Sequence, residues 1–399
     1  MIESSAKRLT LGRTHQARKS FWIRTVAGPG SGFGHLRRTL ILAEHLRSVA
    51  DAVFLLDPED HGSKEQVAAS EFQQFNFLPR KPWLPIEPPA ALLIDTRHKR
   101  GLNLLVDEAR RHAVPVASIH DLGLAPLSSD VIIDGSIGFD TSRFPANCAD
   151  CFTGPAYLVL DDACARFHRQ PKPIRERIQK VAVNLGGGDG SRFFPRVLEG
   201  LRAAETRLEV TGFPGFCSWG QEEVARNYRL PLRFRWIAPD EDAIRLMFQA
   251  DLVISAGGLS AYEALAVGTP VCALSYDCHQ QAAVSALAAA GACLELGGGA
   301  LLRSRDVLER FVHLNGSPEL RRKLSACGRG LVDGRGSLRV ARILRSLIDG
   351  ASCSPDGTRL FRNDIPFAED HRLNDGVSPF AVMRRRRFCG GIHRISEIG

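Results

Sequence analysis

The sequence predicts an α/β chain of two doubly wound, Rossmann-like units that face one cleft. Short apolar runs alternate with helix-like stretches over residues 21–350. Two glycine-bearing loops, Gly28–His35 (GPGSGFGH) near the start and Ser255–Glu263 (SAGGLSAYE) past the middle, each follow a strand-like run and open a helix-like one. A parallel sheet offers backbone N–H groups to an anion in this way. The length, 399 residues, exceeds what one hydrophobic core usually serves.

The first unit begins with the run Phe21–Ala27, followed by a helix over about His35–Val49 whose Leu36, Leu40, Ala43 and Leu46 share one face. Further strands are read at Ala52–Leu56, Ala91–Asp95, Val114–His120 and Val131–Asp134. Their lack of apolar–polar alternation fits a parallel sheet covered on both faces. The stretch Arg169–Arg175 (RQPKPIR) is basic and proline-bearing, as a linker would be. A second series then runs through Val181–Leu185, Arg207–Val210, Leu232–Trp236, Leu252–Ser255 and Val271–Leu274. The expected organisation is an N-terminal basic extension (1–20), a first domain (21–168), a linker (169–175), a second domain (176–350) and a disordered basic tail (351–399). From 351 onward Pro, Gly, Asp and Arg follow no helical or strand period.

The formal charge of +8 belongs mostly to the ends: residues 1–20 carry five basic side chains against one acid, and residues 351–399 carry eight Arg against six acids. The core between them lacks the basic face that nucleic acid requires, so no nucleic-acid partner is expected. The run Arg384–Arg387 suits a solvated tail or peripheral contact with an anionic membrane surface. No signal-peptide core and no membrane-length apolar run are present, which points to the cytoplasm. Ten scattered cysteines fit reduced thiols there. Cys148, Cys151, Cys164 and His168 have a spacing that passes for a zinc knuckle, but a strand and connector lie between them, and no metal is expected.

In the first loop, Gly30, Gly32 and Gly34 permit a tight turn before His35, which then stands at the mouth of the sheet with a pKa range suited to general-base work. The alternative is a histidine that merely caps the helix. The spacing departs from the dinucleotide-binding G-x-G-x-x-G, and no G-K-[ST] follows, so neither a Rossmann cofactor fingerprint nor a P-loop is present. A third loop, Gly186–Gly190 (GGGDG), leaves the amides of Gly186, Gly187 and Gly188 to meet a diphosphate. In the second half, Gly257, Gly258, Leu259 and Ser260 open a helix in whose first turns Glu263 can reach two adjacent ribose hydroxyls. His279 and Gln280 begin another helix, suited either to sugar hydroxyls or to capping.

Together the stretches GFGHLRRTLILAEHL, FTGPAYLVLDDACARF and ADLVISAGGLSAYEALAVGTP resemble the pseudaminic-acid-pathway UDP-sugar hydrolases, GT-B proteins related to glycosyltransferase family 28. The resemblance covers about residues 21–345. It implies a GT-B fold, a UDP-sugar substrate, no cofactor, His35 as the base that activates water, Glu263 on the ribose, and the loops of Gly186 to Gly188 and Gly257 to Ser260 on the diphosphate. It also implies that the backbone of Ile237 pairs with uracil and that Gly32, Gly34, Arg38 and Asp95 line the substrate. The sequence departs from that family at Val26, where an acid is common, around Arg97, where an aromatic is usual, and at His279 and Gln280, where an Asn-Gln pair is common. These departures fall on the sugar side. Hydrolysis of a UDP-activated amino or deoxy sugar for surface-glycan biosynthesis is the expected reaction. Transfer by the same fold to a lipid or sugar acceptor and non-catalytic nucleotide-sugar binding are the alternatives, and the oligomeric state is left open.

Overall fold

The computed structural model describes residues 18–28, 32–81, 87–120, 127–138, 150–186, 189–214, 232–238 and 241–350. The expected basic extension up to residue 17, the tail 351–399, Gly30, Gly187, Gly188 and Cys148 lie outside the described residues.

The first unit is a seven-stranded sheet in the order β3-β2-β1-β4-β5-β6-β7. Its strands are β1 (Ser20–Thr25), β2 (Asp51–Leu56), β3 (Gln73–Asn76), β4 (Ala91–Asp95), β5 (Val116–Ile119), β6 (Val131–Asp134) and β7 (Asp150–Thr153). Every pairing is parallel. Helix α1 (Gly34–Leu46) covers one face and α3 (Leu102–Arg111) the other, with α2 (His61–Ala69) between β2 and β3. Leu36, Leu42 and Leu46 of α1 are fully buried against β1 and β2. Each such leucine stabilises by about 1.5–3 kcal/mol relative to exposure. The stripe therefore fixes α1, and with it His35, over the sheet.

The second unit is a six-stranded parallel sheet in the order β10-β9-β8-β11-β12-β13. It comprises β8 (Lys180–Asn184), β9 (Leu208–Phe213), β10 (Leu232–Trp236), β11 (Leu252–Ala256), β12 (Val271–Ser275) and β13 (Cys293–Gly298). Its helices, in chain order, are α4 (Asp162–His168), α5 (Phe194–Arg202), α6 (Ala243–Gln249), α7 (Leu259–Ala266), α8 (Cys278–Ala289), α9 (Ser304–Gly316) and α10 (Pro318–Leu331). One face of the sheet carries α5 and α9, and the other α4, α6, α7 and α8.

The units exchange helices. Although α4 precedes the expected boundary at 168, its Cys164 and Phe167 pack in the second core together with Leu158 and Leu160. The last helix, α11 (Gly336–Ile348), lies within the expected second domain by sequence but packs Val340, Ile343, Leu344, Leu347 and Ile348 into the core of the first. The chain thus crosses between units near residue 160 and again near 335. The stretch 169–175 is not free chain: Lys172 donates from Nζ to the carbonyls of Phe248 and Ala250, and Arg175 pairs with Asp251 at 2.6 Å. Burial lowers the Lys172 ammonium to about 7.

In both sheets the chain turns one way from the starting strand and later returns on its other side, beside β1 at β4 and beside β8 at β11. Crevices open at the carboxyl ends of such strand pairs. The loops leaving β1, β8 and β11 carry the glycines singled out above, Asp95 closes β4, and His279 and Gln280 follow β12.

Candidate active site

The loop after β1 folds back on itself. Gly32 N–H donates to the Gly28 carbonyl at 2.7 Å, and Gly32 adopts φ +69°, a backbone setting that favours glycine. The chain then enters α1 with no side-chain cap on the helix N-terminus. The loop after β11 does the same: Gly258 precedes α7 without a side-chain cap, leaving the first-turn amides of Leu259 and Ser260. The two helix starts lie against each other, since a methyl group added at Gly34 would stand 3.3 Å from the Leu259 side chain. Two uncapped positive dipole ends that abut, one from each unit, form a ready anion site.

His35 lies one residue inside α1 and is 5% exposed. Its Nδ1 is 2.7 Å from Asp95 Oδ1 at the end of β4, and Asp95 is fully buried. Arg38, one turn further along α1, grips the same carboxylate at both oxygens, through Nε and Nη2, each at 2.5 Å. Burial opposes the charge on Asp95, but the Arg38 guanidinium and the His35 ring hold its carboxyl below the usual range. An ionised carboxylate only accepts, so Nδ1 carries the proton it donates. That tautomer leaves the ring's lone pair on Nε2, the nitrogen turned away from Asp95. Arg38 and Asp95, expected to line the substrate, are both buried and both contact His35.

Other polar groups end neighbouring strands. Thr25, paired in register with Asp95, is buried with Oγ1 unpartnered among the described residues. Ser129 Oγ donates to Ser118 Oγ at 2.8 Å, and Ser118 lies 2.8 Å from His120 Nε2. His120 and Asp134 are both buried. None of these was singled out from the sequence. The available signal was a polar residue closing an otherwise apolar strand, as in VASIH and VIID.

In the second unit Gly186 has φ +81° and donates its N–H to Asn184 Oδ1 at 3.1 Å, while Tyr276 stacks on Phe193 beside it. Gly257 packs on α8: a side chain there would come 2.8 Å from the Gln280 carbonyl and 2.7 Å from Val284. Glu263 is 2% exposed and pairs through Oε1 with Arg37 Nη1 at 3.0 Å. Burial raises its carboxyl, and Arg37 works against that.

Three expected contacts take a different form. The Ile237 N–H donates to the Gly212 carbonyl at 2.9 Å, so what this position offers a base is its carbonyl oxygen. Gln280 turns its Oε1 back to the Tyr276 N–H at 3.3 Å, and α8 is capped by Asp277, which accepts from the Gln280 N–H at 2.8 Å. The side chain of His279 lies outside the described residues. The neighbour Gln281, not singled out, links Ser275 to Glu295. Asp161 and Asp162 both join elements: Asp161 pairs with Arg37, and Asp162 with His45 and Ser337.

Of the zinc-like set, Cys151 is on β7, buried Cys164 is on α4, and the His168 Nδ1–H donates to the Ala266 carbonyl at 2.8 Å. Burial pushes the Cys164 thiol well up, away from the thiolate a metal needs. Among the described residues no group of three or more His, Cys, Asp or Glu gathers at one point. No helix among them is long and apolar enough to cross a membrane.

Two Rossmann-like units exchanging their terminal helices across a cleft define the GT-B class of fold. MurG of Acinetobacter baumannii superposes with a TM-score of 0.62 at 14% identity, over 82% of this chain and 99% of that one. LpCGTa, solved with UDP, superposes at 0.59 and 15% identity, over 85% and 100%. No family model matches the sequence. Over 333 residues it is 30% identical to the spore coat polysaccharide biosynthesis protein SpsG of Bacillus subtilis (strain 168), spanning 81% of this chain and 96% of that protein. The chain belongs to the SpsG family.

Proposed function

We propose that this protein hydrolyses a UDP-activated amino or deoxy sugar at its anomeric carbon, releasing UDP and the free sugar for surface-glycan biosynthesis. The observation that carries this reading is the His35–Asp95 pair beside two abutting, uncapped helix starts. The naming of the family relative for polysaccharide biosynthesis and the UDP held by a protein of the same fold support the pathway and the nucleotide.

In this mechanism the diphosphate takes up the N–H groups at Gly258 to Ser260 and at Gly187 and Gly188, since those of Gly186 and Gly257 are given to Asn184 and to the Leu274 carbonyl, and the dipoles of α1 and α7 stabilise the charge that grows on it as it leaves. The carbonyl of Ile237 meets the base, and Glu263 meets the ribose. His35 Nε2 takes a proton from water while the water oxygen bonds to the anomeric carbon from the face opposite UDP. The carbon–oxygen bond to the β-phosphate breaks with its electron pair going to UDP, and configuration inverts. Asp95 then balances the imidazolium, and Arg38 keeps Asp95 ionised.

Incubation with a panel of UDP-amino and UDP-deoxy sugars, followed by mass spectrometry, tests the reading. Free sugar formed without an acceptor supports it. Release only when a lipid or sugar acceptor is added would make the protein a transferase, and binding without turnover a nucleotide-sugar binder. His35→Ala is expected to lower kcat/KM by about 10²–10⁴-fold while UDP affinity stays unchanged.

A further inference from the structure

Arg37 follows His35 by two residues, yet its side chain leaves the first unit. Nη1 lies 3.0 Å from Glu263 Oε1 on α7, and Nη2 lies 3.2 Å from Asp161 Oδ2 at the start of α4. The first unit, the crossover and the second unit therefore meet at one guanidinium. Its side chain is 40% exposed, whereas that of Glu263 is 2% exposed. The cation has a solvent side, and the carboxylate has none.

The pairing uses only half of that carboxylate. Glu263 Oε2 is enclosed and has no hydrogen-bond partner among the described residues. A buried acceptor left unsatisfied is destabilising, so an enclosed, empty carboxylate oxygen beside a ligand loop marks a place where a donor belongs. Asp161 cannot supply one, since it is itself an acceptor, taken by Arg37 and by the Ala163 N–H at 2.9 Å. A hydroxyl can.

We propose that Arg37 is a positioning residue that holds Glu263 by Oε1 across the two units and so reserves Oε2 for a ribose hydroxyl of the nucleotide. The inference rests on the reading above, in which Glu263 faces the ribose. It adds that ribose recognition is not a property of the second unit alone: the nucleotide is read by a carboxylate that the first unit aims. Because Oε2 is closed off, the hydroxyl reaches it when the units part slightly, and the long, half-exposed Arg37 side chain spans that opening.

Calorimetric titration of the full chain with UDP and with 2′-deoxy-UDP tests the proposal in wild type, Arg37→Met and Arg37→Lys. Wild type is expected to prefer UDP. Arg37→Met is expected to lose about tenfold in UDP affinity, the loss of one charge-assisted contact, with 2′-deoxy-UDP affinity little changed, so that the preference collapses. Arg37→Lys keeps the charge without the fork and should restore part of the preference. It also provides the reading if the methionine variant does not fold. Equal weakening toward both nucleotides, or an unchanged ratio in both variants, would overturn the role of Arg37 while leaving the ribose reading intact. A wild type that binds both alike would overturn the ribose reading and this inference together.

Discussion

A histidine, an aspartate and an arginine share one buried cluster here, and their order of contact decides what each can do. Asp95 is fully buried between His35 and Arg38, so it can act on a substrate only through His35. Asp95→Asn removes the acceptor that fixes the proton on Nδ1, and turnover should fall by on the order of 10²–10⁴-fold with UDP affinity kept, as read by initial rates beside a binding titration. The same carboxylate has a stability signature. Its folded pKa lies below the unfolded value of about 3.9, so its contribution is fully present above that value and is lost as pH falls through the lower folded one. Urea unfolding at stepped pH should therefore show wild type exceeding Asp95→Asn by a constant margin near neutrality, and the margin should shrink below about pH 4. A margin independent of pH would mean that the lost stability is packing rather than charge. His35 was legible in the sequence because glycines and a helix start bracket it. The roles of Asp95 and Arg38 were not, because Asp95 lies 60 residues away and meets His35 only once β4 is placed beside β1.

The strands most readable in the sequence, such as Ala91–Asp95 and Val271–Ser275, are those buried along their whole length, where burial on both faces dictates an unbroken apolar run. Those missed, β3 (Gln73–Asn76), β7 (Asp150–Thr153) and β13 (Cys293–Gly298), include no such run, because each closes an edge of its sheet, β3 mostly exposed and the other two mixed in burial. Loop glycines were legible as a class, but their reasons differ. At Gly257 the reason is proximity: a side chain would meet the Gln280 carbonyl of α8 at 2.8 Å. Gly257→Ala must then push α8 from the loop that opens α7, and overpacking of this kind costs about 1–3 kcal/mol. The expected result is weaker UDP binding together with a lower Tm. At Gly336 the obstacle is backbone, with the Leu158 carbonyl oxygen 2.0 Å from the added carbon. Gly336→Ala should lower Tm to a similar or greater degree by lifting the start of α11, without a direct effect on the nucleotide loops. Calorimetric unfolding beside UDP titration separates the two.

At the scale of the molecule, the domain boundary that sequence places at 169–175 is displaced by the two crossings, because composition marks a linker but not which core a helix joins. Helix α11 has the apolar spacing of any core-facing helix, and nothing in that spacing says that its partners are α1 and β4 rather than the adjacent α10. Only the closed structure does. Leu344, fully buried in α11, packs in one cluster with Phe21, Ile23, Leu42 and Leu46, more than 290 residues away in sequence. Leu344→Ala removes buried apolar volume and should cost about 2–5 kcal/mol. The loss should fall on the first unit although the substitution lies in the last seventh of the chain. In native-state hydrogen exchange, amide protection is expected to drop in β1, β2 and α1, while β8, β11 and β12 keep theirs. The same variant should lose turnover before it loses UDP affinity, since α1 carries His35 and the proposed nucleotide loops belong largely to the second sheet. Protection lost from the second sheet instead would return α11 to that unit, and the first core would then have to close without it.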